Sequence, residues 1–292
     1  MSYEVVTTPV RGGELAAGVW GTNAGNAVLA FHGVTGSHVS WRAVARAFEA
    51  SRMFIAPDLR GRGGSRALPG PFGMAQHAED AVRLLDTLAV DRVDVAGHSM
   101  GGFVALRFAT DFPDRVRGVT LVDGGVPLQL PADIPIEVVM KQALGPALAR
   151  LEVSYPSRDA YRDFWRAHPA FVGEWNADVQ AYVDYDLVGT EPELRSSASA
   201  VAALADSLEQ GVGTQADEPW AAIAKPITLL TAPRGLLNGP PLYAPDYIAA
   251  FARAHANLTV VEVPDVNHYS ILMNQRGADA VVAAIQPAKE PA

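Results

Sequence analysis

Four short apolar runs in the first half of the chain each end at a glycine or an aspartate, and stretches with helical spacing lie between them. Val28-Leu29-Ala30-Phe31 runs into His32-Gly33, Met53 to Ala56 into Pro57-Asp58, Val93 to Ala96 into Gly97, and Val119 to Val122 into Asp123-Gly124-Gly125. Apolar runs of this length, bounded by turn residues, read as buried strands. Between them, Trp41 to Ala50 puts Val44, Ala47 and Phe48 on one face, and Ala75 to Leu88 spaces Ala78, Val82, Leu85 and Leu88 at helical intervals. Strand and helix repeated in this order bury both faces of a sheet. The expected fold class is therefore α/β, with a mostly parallel central sheet and helices on both faces. Ahead of the first run, Tyr3 to Thr8 and Glu14 to Trp20 flank Gly12-Gly13 and read as an antiparallel hairpin at the sheet edge.

The rhythm breaks after Gly125. Pro127, Pro131 and Pro135 form a proline-rich linker, and from Ile136 to about Gly211 only helical pieces rich in Trp, Tyr and Phe are visible, with no strand signal. Strands resume at Ile227 to Leu230 and Leu258 to Val263; a terminal helix over roughly Ser270 to Ile285 closes the fold, and Gln286 to Ala292 reads as a frayed tail. The expected division is 1–126 for the first part of the core, 127–211 for a helical cap inserted between strands, and 212–292 for the second part of the core.

Composition narrows the chemistry. Among 292 residues there is no Cys, so thiolate metal sites, disulfides and cysteine nucleophiles are excluded. The net charge of -9 argues against a nucleic-acid or anionic-membrane partner. No apolar run approaches the ~20 residues of a membrane span. Met1-Ser2-Tyr3-Glu4 lacks the basic start and apolar core of a leader, so the expected location is cytoplasmic.

Gly97-His98-Ser99-Met100-Gly101 is a G-x-S-x-G sequence with a strand before it and a helix starting near Met100. That context suits a sharp strand-to-helix turn presenting a serine hydroxyl over a helix N-terminus. A serine needs a base. Of the seven histidines, His268 lies in the loop between the last strand and the last helix, which makes it the candidate base. The Gly-rich stretch His32-Gly33-Val34-Thr35-Gly36-Ser37 follows another strand; the N–H groups of Val34 and Met100 are the candidate oxyanion donors. Asp58 to Ser65 forms a further loop at the same sheet end, read as a structural turn in which Asp58 caps backbone amides.

Taken together, H-G-x-x-G-S at His32 to Ser37, D-x-R-G-x-G-x-S at Asp58 to Ser65, G-H-S-M-G-G at Gly97 to Gly102 and Asn267-His268 resemble the α/β-hydrolase superfamily, in its capped serine hydrolase branch. The resemblance implies a Ser-acid-His order, an oxyanion hole at Val34 and Met100, and no cofactor or metal. One feature departs from it. Most relatives carry the acid just after the strand at Ile227, but Pro226 to Pro245 holds no Asp or Glu. Asp123, at the end of the preceding core strand, is the candidate, with Asp265 and Asp246 as competitors.

The catalytic expectation is thus Ser99, His268 and Asp123, with Trp165, Trp175 and Tyr269 lining a substrate pocket. The acids Asp159, Asp163, Asp178, Asp184 and Asp186 read as a solvated face of the insertion. The expected reaction is hydrolysis of a carboxylic ester or lactone of a small, mainly apolar molecule. The alternatives are a carbon–carbon bond hydrolase, a haloperoxidase-like activity, or a low-turnover small-molecule receptor. Whether the chain is a monomer or a homodimer is not decided by these features.

Overall fold

The apolar runs become the middle of an eight-stranded sheet in the computed structural model, which describes residues 2–48, 52–129, 138, 148–209 and 219–285. In chain order the strands are β1 (Tyr3–Val10), β2 (Gly13–Trp20), β3 (Ala27–Phe31), β4 (Met53–Pro57), β5 (Val93–His98), β6 (Val116–Val122), β7 (Leu187–Val188), β8 (Arg195–Ser196), β9 (Ile227–Thr231) and β10 (Leu258–Glu262). The main sheet runs β1-β2-β4-β3-β5-β6-β9-β10. β1 and β2 form the antiparallel hairpin, β2 meets β4 antiparallel, and every later pairing is parallel.

The helices are α1 (Arg42–Ala47), α2 (Met74–Thr87), α3 (Met100–Asp111), α4 (Arg158–Ala167), α5 (Ala177–Asp186), α6 (Ala200–Ser207), α7 (Pro245–Ala254), α8 (Ser270–Met273) and α9 (Gln275–Ile285). Alternate strand residues feed the two faces of the sheet, as the two-residue strand period requires. Leu29, Phe31, Val95, Leu121 and Leu229 join one core with α2 and α3, while Val28, Ala30, Ala96, Val122 and Leu230 join the other with α1 and α9. Burying each large side chain of this kind contributes about 1.5–3 kcal/mol.

Between β6 and β9 the chain leaves the sheet, and the described part of this insertion carries α4, α5 and α6. Its exit is fixed from the core: Trp220 Nε1 donates to the Gly125 carbonyl at 3.1 Å and the Tyr243 hydroxyl to that of Val126 at 3.0 Å. Three sequence readings need correction. The insertion contains the small antiparallel sheet β7–β8; strands of two residues are too short to show alternation. The single closing helix is two, because Asn274 interrupts it and its side-chain oxygen accepts from Gly277 N at 2.8 Å. The insertion's acids are not all solvated. Asp186 is 5% exposed, and Asp178 pairs with Arg42 at 3.0 Å and Arg46 at 2.6 Å on α1. The tail from Gln286, Pro131, Pro135 and the expected boundary at Gly211 fall outside the described residues.

Where β5 meets α3 the backbones are in contact. A Cβ at Gly97 would stand 2.1 Å from the Gly101 oxygen, and one at Gly101 would stand 2.2 Å from the Phe31 oxygen. Both clashes are with backbone and cannot be relieved by a rotamer change. Gly101→Ala is expected to cost about 3 kcal/mol or more, the upper end of the overpacking range. Urea denaturation of the purified variant measures this, and a loss below about 1 kcal/mol would show that the contact yields.

Candidate active site

Ser99 sits between β5 and α3 with φ 54° and ψ -123°, a backbone conformation rarely adopted by a residue with a side chain. Its N–H donates to the Val122 carbonyl at 3.0 Å, and its own carbonyl accepts from Gly102 N at 3.0 Å. The hydroxyl therefore projects at the carboxyl end of the sheet, at the start of α3, where the first-turn N–H groups lack helical partners.

Asp123 directly follows β6 next door, also with a positive φ of 45°. Its N–H donates to the Leu230 carbonyl at 2.8 Å, and its Oδ1 accepts from Ala232 N at 3.1 Å. Its Oδ2 lies 2.6 Å from His268 Nδ1, with both side chains at most 2% exposed. An ionised carboxylate only accepts, so the partner nitrogen Nδ1 is the donor, the tautomer that in a neutral ring places the lone pair on Nε2. Asp265 instead pairs with Arg276 at 2.6 Å in a largely exposed bridge, and Asp246 lies exposed on α7. Of the three acids weighed from sequence, the structure brings Asp123 to the imidazole.

The main chain of His268 is held at both ends: its N–H donates to the Arg234 carbonyl at 2.9 Å, and its carbonyl accepts from His98 Nε2 at 2.7 Å. His98 also stacks obliquely on it, with ring centroids 4.6 Å apart. Asn267 anchors the same loop. Its Oδ1 accepts from Tyr269 N and Ser270 N, and its Nδ2 donates to the Ala170 carbonyl in the insertion at 2.8 Å.

The loop after β3 passes directly over Ser99; a Cβ at Gly33 would lie 3.2 Å from Ser99 Cβ and 3.6 Å from its Oγ. The Gly33 carbonyl is fixed twice, by His32 Nδ1 at 2.7 Å and by Gly36 N at 2.9 Å. A trans peptide points its N–H opposite to its carbonyl, so these bonds also set the direction of the Val34 N–H. Arg62, fully buried, holds the Val34 carbonyl through Nε at 2.9 Å and pairs with Asp206 on α6 at 2.5 Å.

Two of these contributions escape motif reading. His32 and His98 are visible in the sequence only as letters within glycine motifs, and their hydrogen bonds depend on the fold. The pocket residues divide: Trp165 is buried and its ring meets Tyr269 at 6.5 Å, Tyr269 meets His268 at 5.5 Å, and Trp175 is half-buried beneath Arg166 at 4.8 Å. Among the described residues no group of three His, Asp or Glu could hold a metal ion, and no helix is long and apolar enough to cross a membrane. A hydroxyl on a strained turn, and an imidazole whose Nδ1 is fixed by the buried carboxylate after the neighbouring parallel strand, are the components of nucleophilic acyl transfer.

A family profile described as alpha/beta hydrolase fold matches residues 26–274. A putative carbamate hydrolase (RutD) of Variovorax paradoxus is 40% identical over 107 residues, 36% of this chain and 40% of that protein. A 2-hydroxy-6-oxo-2,4-heptadienoate hydrolase of Pseudomonas putida is 35% identical over 127 residues, 41% of this chain and 46% of that protein. The chain thus spans less than half the length of the curated relatives it matches. Among solved structures, the thioesterase domain from the curacin biosynthetic pathway superposes with a TM-score of 0.77 at 19% identity, over 98% of this chain and 99% of that one.

Burial pushes His32 down to about 4, and burial followed by the neighbouring His268 holds His98 well below the usual 6.5. Both are therefore neutral when folded and take up protons only on unfolding as the solution is acidified. Their stabilising effect is complete above about pH 6.5 and is lost as pH falls, through about 4 for His32. Each contributes a slope of about 1.4 kcal/mol per pH unit within its window. Urea unfolding at a series of pH values should show stability falling below pH 6.5, with about one proton less in the slope for His98→Gln. An unchanged slope in that variant would contradict the assignment.

Proposed function

Because the chain belongs to the alpha/beta hydrolase family, we propose that it is a serine hydrolase that cleaves a carboxylic ester or lactone of a small molecule through an acyl-enzyme. The observation that carries this reading is the 2.6 Å bond from the buried His268–Asp123 pair, held beside the strained Ser99 turn. Ser99 Oγ attacks the carbonyl carbon while His268 Nε2 takes its proton. Asp123 fixes the imidazole tautomer and stabilises the imidazolium. The oxyanion is bound by the N–H groups of Val34 and Met100, already oriented before substrate arrives. His268 then protonates the leaving alcohol, and water attacks the acyl-enzyme by the same route reversed. The insertion acts as a cap over Ser99, with Trp165 and Tyr269 on the substrate side. On this reading the chemistry needs no cofactor, and the protein acts in the cytoplasm on a small molecule, with no nucleic-acid or membrane partner.

The similarity to a protein named 2-hydroxy-6-oxo-2,4-heptadienoate hydrolase supports a second reading, cleavage of a carbon–carbon bond by the same three residues. A panel of p-nitrophenyl esters, lactones and vinylogous diketone acids separates the two.

On the leading reading, Ser99→Ala is expected to abolish ester turnover, a loss of about 10⁶ in kcat. Asp123→Asn leaves the wrong imidazole tautomer and is expected to lose roughly 10⁴, as in a serine-protease triad. Asp265→Asn, which alters only the exposed side-chain bond to Arg276, should stay within about tenfold of the parent. Steady-state kinetics with p-nitrophenyl butyrate measures all three, and a folded Asp123→Asn with near-normal kcat would refute the assignment.

A further inference from the structure

Arg150 opens a short turn at Arg150–Glu152 inside the insertion and is only 2% exposed. One of its nitrogens does all the visible bonding. Nη1 donates to Asp186, to the Tyr161 hydroxyl at 2.6 Å and to Ser196 Oγ at 3.0 Å. Among the described residues Nε and Nη2 have no hydrogen-bond partner, although both are buried. These two are neighbours on the guanidinium, and their N–H bonds run parallel on one edge. Elsewhere in the chain that same edge grips a carboxylate with both nitrogens: Arg60 holds Asp80 at 2.5 and 2.9 Å, and Arg162 holds Asp184 at 2.8 and 2.7 Å. In Arg150 the edge is vacant.

The ion pair with Asp186 balances the charge through Nη1 alone and leaves the Nε/Nη2 edge unused. Asp186 also accepts from the Tyr161 hydroxyl, the Ser196 and Ser197 hydroxyls and Ser197 N. Two buried guanidinium donors left without acceptors carry a penalty that a ligand would remove. The surroundings suit an organic anion. The guanidinium lies 4.8 Å over the Trp165 ring, and the buried Tyr155 hydroxyl, within reach of its charge, likewise has no partner among the described residues. Through Trp165 and Tyr269 the group is two rings from His268. The positive charge of Arg150 reaches the Tyr269 hydroxyl, where it opposes the upward push of burial.

We infer that Arg150 is a carboxylate-binding subsite: its free Nε–H/Nη2–H edge receives the acid group of a substrate whose ester or lactone carbonyl lies at Ser99. The inference rests on the serine hydrolase reading for its second half only. It turns the apolar pocket expected from the aromatic residues into one with a charged end, and it makes the substrate an acid-bearing ester.

The test compares kcat/KM for monomethyl esters of straight-chain dicarboxylic acids with methyl esters of fatty acids of the same length, over a series of lengths. The wild-type enzyme is expected to prefer the acid-bearing member at one length by roughly tenfold or more. In Arg150→Gln that ratio should fall by about the same factor. Arg150→Lys, which keeps the charge but not the two-nitrogen edge, should recover only a minor part. No preference at any length in the wild type, or an unchanged ratio in a folded Arg150→Gln, would overturn the subsite; the wild-type comparison decides alone if the variants do not fold. If neither ester type is turned over, the hydrolase reading fails on its own. Carboxylate binding is then read by calorimetry of adipate with Ser99→Ala, where binding that disappears in Ser99→Ala/Arg150→Gln supports the subsite and absence of binding overturns it.

Discussion

Behind Ser99 three backbones meet with no space for a single extra carbon. A Cβ at Gly124 would stand 2.1 Å from the Ser99 oxygen, and one at Gly97 would stand as close to the Gly101 oxygen. Only glycine fits this approach, and at its centre Ser99 holds a positive φ. Strain of this kind, of order 1–3 kcal/mol, persists only where surrounding structure over-determines it. Here the determinants are parallel pairing of β5 with β3 and β6, and the N–H of Ser99 joined to β6 rather than to its own turn. Asp123, on the strand that receives that bond, is thereby delivered to the same place.

The histidines of the glycine motifs extend this rigidity to the rest of the site. His32 fixes the peptide that carries the Val34 N–H, and His98 fixes the carbonyl of His268. Burial keeps both rings neutral, and in His32 this leaves Nε2 free to accept from Leu59 N at 3.0 Å. The second layer ties the insertion to the core at several points: Arg62 to Asp206, the Tyr185 hydroxyl to Asp58 at 2.6 Å, and Asn267 to the Ala170 carbonyl. Asp58 meanwhile accepts from His38 N and Gly64 N, the amide-capping role expected of it. Movement of the insertion is therefore coupled to the loops bearing the His268 and Val34 groups.

Much of this was legible in the chain. Apolar runs ending in glycine gave away the sheet, because a buried parallel strand has to be apolar on both faces. Asp123 was one of three candidates, favoured by the family resemblance once the stretch after β9 proved free of acids. Other features were hidden for a physical reason. The His268–Asp123 contact joins residues 145 apart, and the Arg150–Asp186 contact joins residues 36 apart within a segment without regular periodicity. Asp186 looks like any surface acid in sequence; only the packing of α5 against β8 and the Arg150 turn makes it interior. The strands β7 and β8 are too brief to leave a pattern, and the break at Asn274 is a single capping side chain.

The central claim is that Ser99 is a nucleophile whose oxyanion pocket is built before substrate binds. The most direct measurement is a crystal structure of the protein after reaction with a fluorophosphonate. The account predicts phosphorus bonded to Ser99 Oγ, with the phosphoryl oxygen about 2.7–3.1 Å from both the Val34 and Met100 nitrogens. It also predicts the loop after β3 unmoved from the geometry set by His32. An adduct on another residue, or a phosphoryl oxygen turned away from those two amides, would contradict it.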